Sequence, residues 1–182
     1  TGSHIYVEDE YIRAAVGGTG FAKVGGNYAG GMRATKKALE NGCKEVLWLD
    51  AHEHKYVEEV GTSNAFFMIG DEVITAPLGG SILPGVTRDS TITLLRKWGY
   101  KVSERRLSIQ EIEEASKDGS LQEAWATGTA CVISPIGYLR YMDRDIVIHG
   151  GGVGPVSQKL YDHIYGMQTG VVADDMGWIV QL

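Results

Sequence analysis

The chain has 182 residues, 43% hydrophobic and 22% charged, with a formal net charge of −6, which is the balance of one soluble domain with a substantial core. Acidity without any basic stretch interleaved with aromatics argues against a nucleic-acid partner, and neither a bilayer-spanning apolar run nor a signal peptide is found. Two cysteines, Cys43 and Cys131, make no disulfide framework, so a reducing, cytoplasmic setting is expected.

Thr1-Gly2-Ser3-His4 reads as a cloning remnant outside the fold, leaving residues 5–182 as one domain that begins on Ile5-Tyr6-Val7. The 25 glycines are often paired, as at Gly25-Gly26 and Gly79-Gly80, and predict tight turns and close backbone approaches. Met32 to Leu39 carries good helix formers and stops at Asn41-Gly42. Val46 to Leu49 reads as a buried strand, followed by a polar turn over Asp50 to His54. Strands are expected over Tyr56 to Glu59, Ala65 to Ile69 and Val73 to Thr75.

Pro84 to Arg88 opens an amphipathic helix with Ile92, Leu94, Leu95 and Trp98 on its apolar face, ending at Gly99. Lys101 to Leu107 alternates like a half-buried strand, and Ser108-Ile109-Gln110-Glu111 is a capping box heading a short acidic helix. Glu123 to Trp125, Cys131 to Ser134 and Asp145 to Ile148 read as strands. Gly154-Pro155 starts a last helix with Leu160, Ile164 and Met167 on one side. The sum is an α+β fold, a strand-rich core with segregated helices.

Four clusters carry chemistry. Lys23 sits in Phe21-Ala22-Lys23-Val24-Gly25-Gly26-Asn27-Tyr28, an apolar, glycine-rich setting where partial desolvation would free its amine for nucleophilic attack. Glu58 and Glu59 precede Val60-Gly61-Thr62-Ser63-Asn64. On a regular strand they point to opposite faces, so only one looks into a pocket, against a cationic partner such as a pyridinium nitrogen; otherwise both are surface charges. Ile82-Leu83-Pro84-Gly85-Val86-Thr87-Arg88, at a helix start, offers free backbone N–H groups to a phosphate. Thr127-Gly128-Thr129-Ala130 is a small hydroxyl-rich turn.

Taken in order, Lys-x-Gly-Gly-Asn-Tyr, Glu-Val-Gly-Thr-x-Asn, Leu-Pro-Gly-Val-Thr-Arg and Thr-Gly-Thr-Ala resemble the branched-chain aminotransferases of the fold-type IV, class IV pyridoxal phosphate-dependent family. The flanking words Val46 to Leu49 and Lys101 to Arg105 strengthen the likeness, which runs from about Ile5 to Gly177-Trp178. The resemblance implies pyridoxal 5′-phosphate held on Lys23, which also shuttles the substrate proton. It implies Tyr28 at the cofactor's phenolic oxygen, Glu59 at its pyridine nitrogen, and Leu83 packed on its ring. Val86 and Thr87 would give backbone amides to the phosphate and Thr129 its hydroxyl. Thr62 and the amide of Ala130 would lie near the substrate carboxylate.

The activity so implied is transfer of an amino group from leucine, isoleucine or valine to 2-oxoglutarate, by a homodimer or other homo-oligomer acting on small molecules. The likeness covers only the family's large C-terminal domain. The smaller N-terminal domain supplies relatives with an arginine for the phosphate and much of the side-chain pocket, so the alternative is a folded fragment that does not turn over alone. Cys131-Val132-Ile133-Ser134 lacks the Cys-x-x-Cys pair of some relatives. Asp50, His52 and His54 alternate across a turn, but no further ligand lies nearby, and no metal is expected. His149-Gly150-Gly151-Gly152-Val153-Gly154 fails the dinucleotide glycine spacing.

Overall fold

The computed structural model describes residues 1–180, so 181–182 of the expected domain lie outside it. Its nine strands are β1 (Ser3–Glu8), β2 (Glu45–Leu49), β3 (Val57–Val60), β4 (Ser63–Ile69), β5 (Glu72–Thr75), β6 (Lys101–Glu104), β7 (Leu121–Gly128), β8 (Val132–Tyr141) and β9 (Arg144–Val147). They run β3-β2-β1-β8-β7-β4-β5-β6, and β3 also pairs with β4. That last pairing closes β1, β2, β3, β4, β7 and β8 into a ring, with β5 and β6 as a flange and β9 against the far half of β8.

The two-residue period of the strands sorts side chains between the ring's faces. Ile5, Val7, Leu47, Leu49, Ala65, Phe67, Ala124, Ala126 and Leu139 share the inner cluster. Helix α3 (Ile109–Asp118) adds Ile109, Ile112 and Ala115 to it. Intervening residues face outward under the other helices. Val46 and Trp48 meet Ala34 and Ala38 of α1 (Gly25–Glu40). Phe66, Trp125 and Ile133 meet α2 (Val86–Lys97) and α4 (Pro155–Gln168). The α+β reading therefore stands, with the strand-rich core closed into a barrel.

Several expected boundaries move. Ser3 and His4 belong to the fold: they pair with Ile136 and Tyr138 in β8, and the Gly2 N–H donates to the Gly151 carbonyl at 3.0 Å. Helix α1 begins at Gly25 rather than Met32. Its low-propensity glycines hide the start, and at Gly31 the helix lies so close to β2 that a Cβ would sit 3.3 Å from the Trp48 ring. Strand β8 runs far beyond Ser134. Pro135 and Gly137 disguise it, although a Cβ at Gly137 would press on the Gly151 carbonyl at 2.8 Å. Strand β7 extends to Gly128, while the β6 ladder stops at Glu104 instead of reaching Leu107. At the expected capping box, the Ser108 hydroxyl accepts from the Glu111 N–H at 3.0 Å, while the Glu111 carboxylate pairs with Arg105 at 2.6 Å.

Candidate active site

A bulge in β3 shapes the site. Leu47 of β2 faces Val60, and Leu49 faces Val57, so two residues of β3 stand opposite Trp48 alone. Val57 and Val60 both point into the inner cluster, and Glu58 and Glu59 are both turned outward. The strand alternation expected from sequence therefore fails here, and so does the surface-charge reading. Glu58 is 9% and Glu59 1% exposed.

Glu59 is held from three sides. The Leu83 N–H donates to its Oε1 at 2.7 Å, the Asn64 Nδ2 reaches the same oxygen at 3.3 Å, and Arg13 Nε lies 3.4 Å from Oε2. Arg13 Nε makes no aligned hydrogen bond, so its contact with Glu59 is charge attraction. Burial outweighs Arg13 and pushes the Glu59 carboxyl up to about 7, with the neighbouring Glu58 adding to the rise. Arg13 Nη2 also donates to the carbonyls of Gly20 and Ser81. Nothing in the sequence singles out Arg13, because a single arginine ahead of a glycine-rich loop carries no pattern.

Glu59 closes one end of a cavity of about 320 Å³ between α1 and the ring, which Lys23, Tyr28, Trp48, Thr62 and Leu83 also line. Lys23, Thr62 and Leu83 equally line a second hollow of about 260 Å³ with Val86, Thr87, Thr127 and Thr129. The two hollows form one cleft with Lys23 at the junction. Lys23 stands on the loop before α1, fastened by the Asn27 amide, which donates to the carbonyls of Thr19 and Ala22 at 2.9 Å. The apolar shielding expected around Lys23 is not there: the side chain is exposed, as is that of Tyr28.

The second hollow lies at the start of α2. Gly85 caps that helix in extended backbone with no side-chain cap, so its first N–H groups face the hollow. A Cβ on Gly85 would collide with the Asn64 amide oxygen. Thr127, 1% exposed, keeps a buried hydroxyl without a hydrogen-bond partner on the same wall. Free amides and an orphaned hydroxyl at a helix start suit a phosphate, and a buried carboxyl at the opposite end suits a ring nitrogen. Thus Lys23, Tyr28, Glu59, Thr62, Leu83, Val86, Thr87 and Thr129 come together, while Ala130 sits on an exposed turn outside the cleft lining. Arg88, buried beneath the helix start, donates to the Ala76 carbonyl at 2.9 Å and to Glu104 at 2.8 Å, fixing α2 on the flange.

Asp50 serves its turn instead of a metal. Its carboxylate accepts from the N–H groups of Glu53, Lys55 and Tyr56 at 2.8–3.0 Å. These bonds outweigh burial and hold it down at about 2. Among the described residues, no group of three or more His, Cys, Asp and Glu is gathered as metal ligands, and no helix is long and apolar enough to cross a membrane.

Residues 19–138 match the family described as amino-transferase class IV. The chain belongs to that family. It is 52% identical over 178 residues to branched-chain-amino-acid aminotransferase 2 of Bacillus subtilis (strain 168), covering 98% of this chain and 49% of that protein. A probable branched-chain-amino-acid aminotransferase of Staphylococcus aureus (strain N315) is 54% identical over 176 residues, covering 97% and 49%. This class IV chain therefore spans about half the length of these relatives. The branched-chain amino acid aminotransferase of Escherichia coli superposes with a TM-score of 0.84 at 30% identity, covering 99% of this chain and 56% of that one. The T.th. enzyme, complexed with N-(5′-phosphopyridoxyl)-L-glutamate, gives 0.82 at 29% identity, covering 98% and 56%. The fold is thus that of the fold-type IV enzymes.

Proposed function

We propose that this chain is the cofactor-binding large domain of a branched-chain aminotransferase, moving the amino group of leucine, isoleucine or valine to 2-oxoglutarate. The observation that carries the reading is Lys23 at the junction of two hollows, one ending in a buried carboxyl and the other at the start of α2. A pyridoxal 5′-phosphate fits that cleft in one sense. Its phosphate would meet the amides of Val86 and Thr87 and the hydroxyls of Thr127 and Thr129, and its ring nitrogen Glu59. Leu83 would lie on the ring, Tyr28 at the phenolic oxygen and Thr62 toward the substrate carboxylate, which the Ala130 amide would meet only by a shift of its exposed turn toward the cleft. Bound there, the cofactor supplies an electron sink for the pair left when the substrate loses its Cα proton.

The chain's own residues do the rest. The Lys23 amine anchors the cofactor and, once displaced by substrate, accepts the Cα proton on Nζ and passes it on. Glu59, ionised opposite a protonated ring nitrogen, keeps that nitrogen charged, and Arg13 and the Leu83 N–H hold the carboxylate in place. Related solved structures carry a phosphopyridoxyl glutamate and pyridoxamine 5′-phosphate, which supports both the cofactor and an acidic co-substrate. Amino-acid and 2-oxo-acid partners, a homodimer or other homo-oligomer, and a cytoplasmic location belong to the same reading.

One observation favours a second reading, a domain that binds the cofactor without turning over alone. Beside Lys23, the exposed Phe21, Val24, Met32 and Leu39 leave an apolar wall open to solvent, and Met32 is 72% exposed. Mixing the protein with pyridoxal phosphate is expected to give a lysine-bound absorption band that is absent in Lys23→Ala. Folded protein without that band would overturn the cofactor reading. Leucine plus 2-oxoglutarate, followed by glutamate release, then separates the two: the band with turnover supports the enzyme, the band alone the second reading.

A further inference from the structure

Glu58 is a buried carboxylate beside the cleft for which the proposed reaction has no use. The bulge that frees Glu59 also turns Glu58 out of the ring, toward a separate cavity of about 610 Å³ behind the cleft. Ser81 Oγ donates to its Oε1 at 2.5 Å, while Oε2 is buried without a partner. A buried acid held by one hydroxyl is costly to keep, and burial pushes it upward despite Ser81 and Arg13.

What Glu58 grips is the segment that serves Glu59. The Ser81 carbonyl accepts from Arg13, the guanidinium of which faces Glu59. Two residues on, the Leu83 N–H donates to Glu59, and the Leu83 carbonyl accepts from Asn64 at 2.8 Å. Adjacent glutamates on one bulge therefore moor the same three residues, Glu58 through the Ser81 side chain and Glu59 through the Leu83 backbone. We propose that Glu58 is a positioning residue for Glu59: by fixing Ser81 it holds Arg13 and the Leu83 N–H against the Glu59 carboxyl. The role rests on the reading of Glu59 as the cofactor's ring partner for its purpose, though not for its test.

Glu58 feels Arg13, Asp50 and Arg106, and His52, Glu53 and Tyr56 line the cavity it faces. Glu59 feels Arg13, Glu58 and Arg88, and Lys23, Tyr28, Lys36 and Glu45 line the cavity it closes. Arg13 and the Leu83 N–H both favour ionised Glu59, so a loosened 81–83 segment raises the pH at which Glu59 ionises.

The test uses cofactor-free protein, so its failure stays distinct from failure of the cofactor reading, which the Lys23 band reports. Hydrogen exchange at the Leu83 amide and the infrared carboxyl band of Glu59, assigned by its loss in Glu59→Gln, are followed in Glu58→Gln, Glu58→Ala and Ser81→Ala. Glu58→Gln keeps an oxygen that accepts from Ser81, so Leu83 should exchange as in the parent. Glu58→Ala and Ser81→Ala should speed Leu83 exchange about tenfold, and Ser81→Ala should move the Glu59 midpoint above its parent value. Should Glu58→Ala fail to fold, Ser81→Ala, which loses only a hydroxyl, carries both measurements. The proposal stands only if both readouts move in Ser81→Ala; either one unmoved overturns it.

Discussion

A carboxyl that ionises near neutrality inside a protein makes stability depend on pH, and Glu59 is such a group. Burial raises it from 4.5 to about 7 in the folded chain. Between those values the folded state holds a proton that the unfolded state has released, so the stability that Glu59 contributes is full below about 4.5 and is lost as pH rises through about 7. A shift of this size corresponds to roughly 3 kcal/mol. Glu58 is raised too and contributes with the same sign. In cofactor-free protein, Glu59→Gln is expected to remove most of the fall in urea stability from pH 5 to pH 8, leaving the smaller share of Glu58. An equal fall in parent and variant would show that Glu59 ionises freely. At this scale the sequence was half legible. Glu59 stood out because an apolar, glycine-rich word follows it. Its environment did not: Arg13 is distant in sequence, and its pairing exists only because the loop over residues 9–24 folds back along the ring.

Elements were legible where their signals were local. Val46 to Leu49 announces itself as a run of large apolar residues, and Ser108 caps α3 as its spacing to Glu111 predicts. What failed needed a partner strand. The bulge in β3 is a property of register against β2, since no residue of Val57–Val60 demands it alone. Strand β8 is interrupted by Pro135 and by Gly137, which packs against the Gly151 backbone, whereas α1 starts among glycines of low helix propensity, of which Gly25, Gly26 and Gly30 face open space and Gly31 alone meets the Trp48 ring. Two helix starts offer a matched prediction. Asn27 ties the first turn of α1 to the Lys23 loop through two carbonyls, and Ser108 caps α3 away from the cleft. Asn27→Ala and Ser108→Ala should each cost about 1 kcal/mol in thermal unfolding. Only Asn27→Ala should also weaken cofactor retention, measured as decay of the lysine-bound band during dialysis. Equal retention in the two variants would mean that the loop holds Lys23 without Asn27.

On the scale of the whole molecule, the cleft is assembled from pieces distant in the chain: the loop before α1, the β3–β4 turn at Gly61, the 81–87 segment and the end of β7. The ring brings them together, because β3 must pair with both β2 and β4 to close. Gly61 makes that turn with a φ of 55°, a conformation that favours glycine, and a Cβ there would press on the Glu45 side chain, so closure and cleft share this residue. A ligand bridging these pieces binds only the closed ring and therefore stabilises it by mass action. At about a hundredfold excess over its dissociation constant, pyridoxal phosphate should add about 2.7 kcal/mol. For a chain of this length that raises Tm by about 5–10 °C. Lys23→Ala loses the covalent anchor yet keeps the phosphate seat, so a smaller rise should survive at the same concentration. Phosphate contacts gathered at α2 thus predict a graded series: full shift in the parent, partial in Lys23→Ala, and least when Thr127→Val is added. A shift of the same size in all three would place the bound cofactor somewhere other than this cleft.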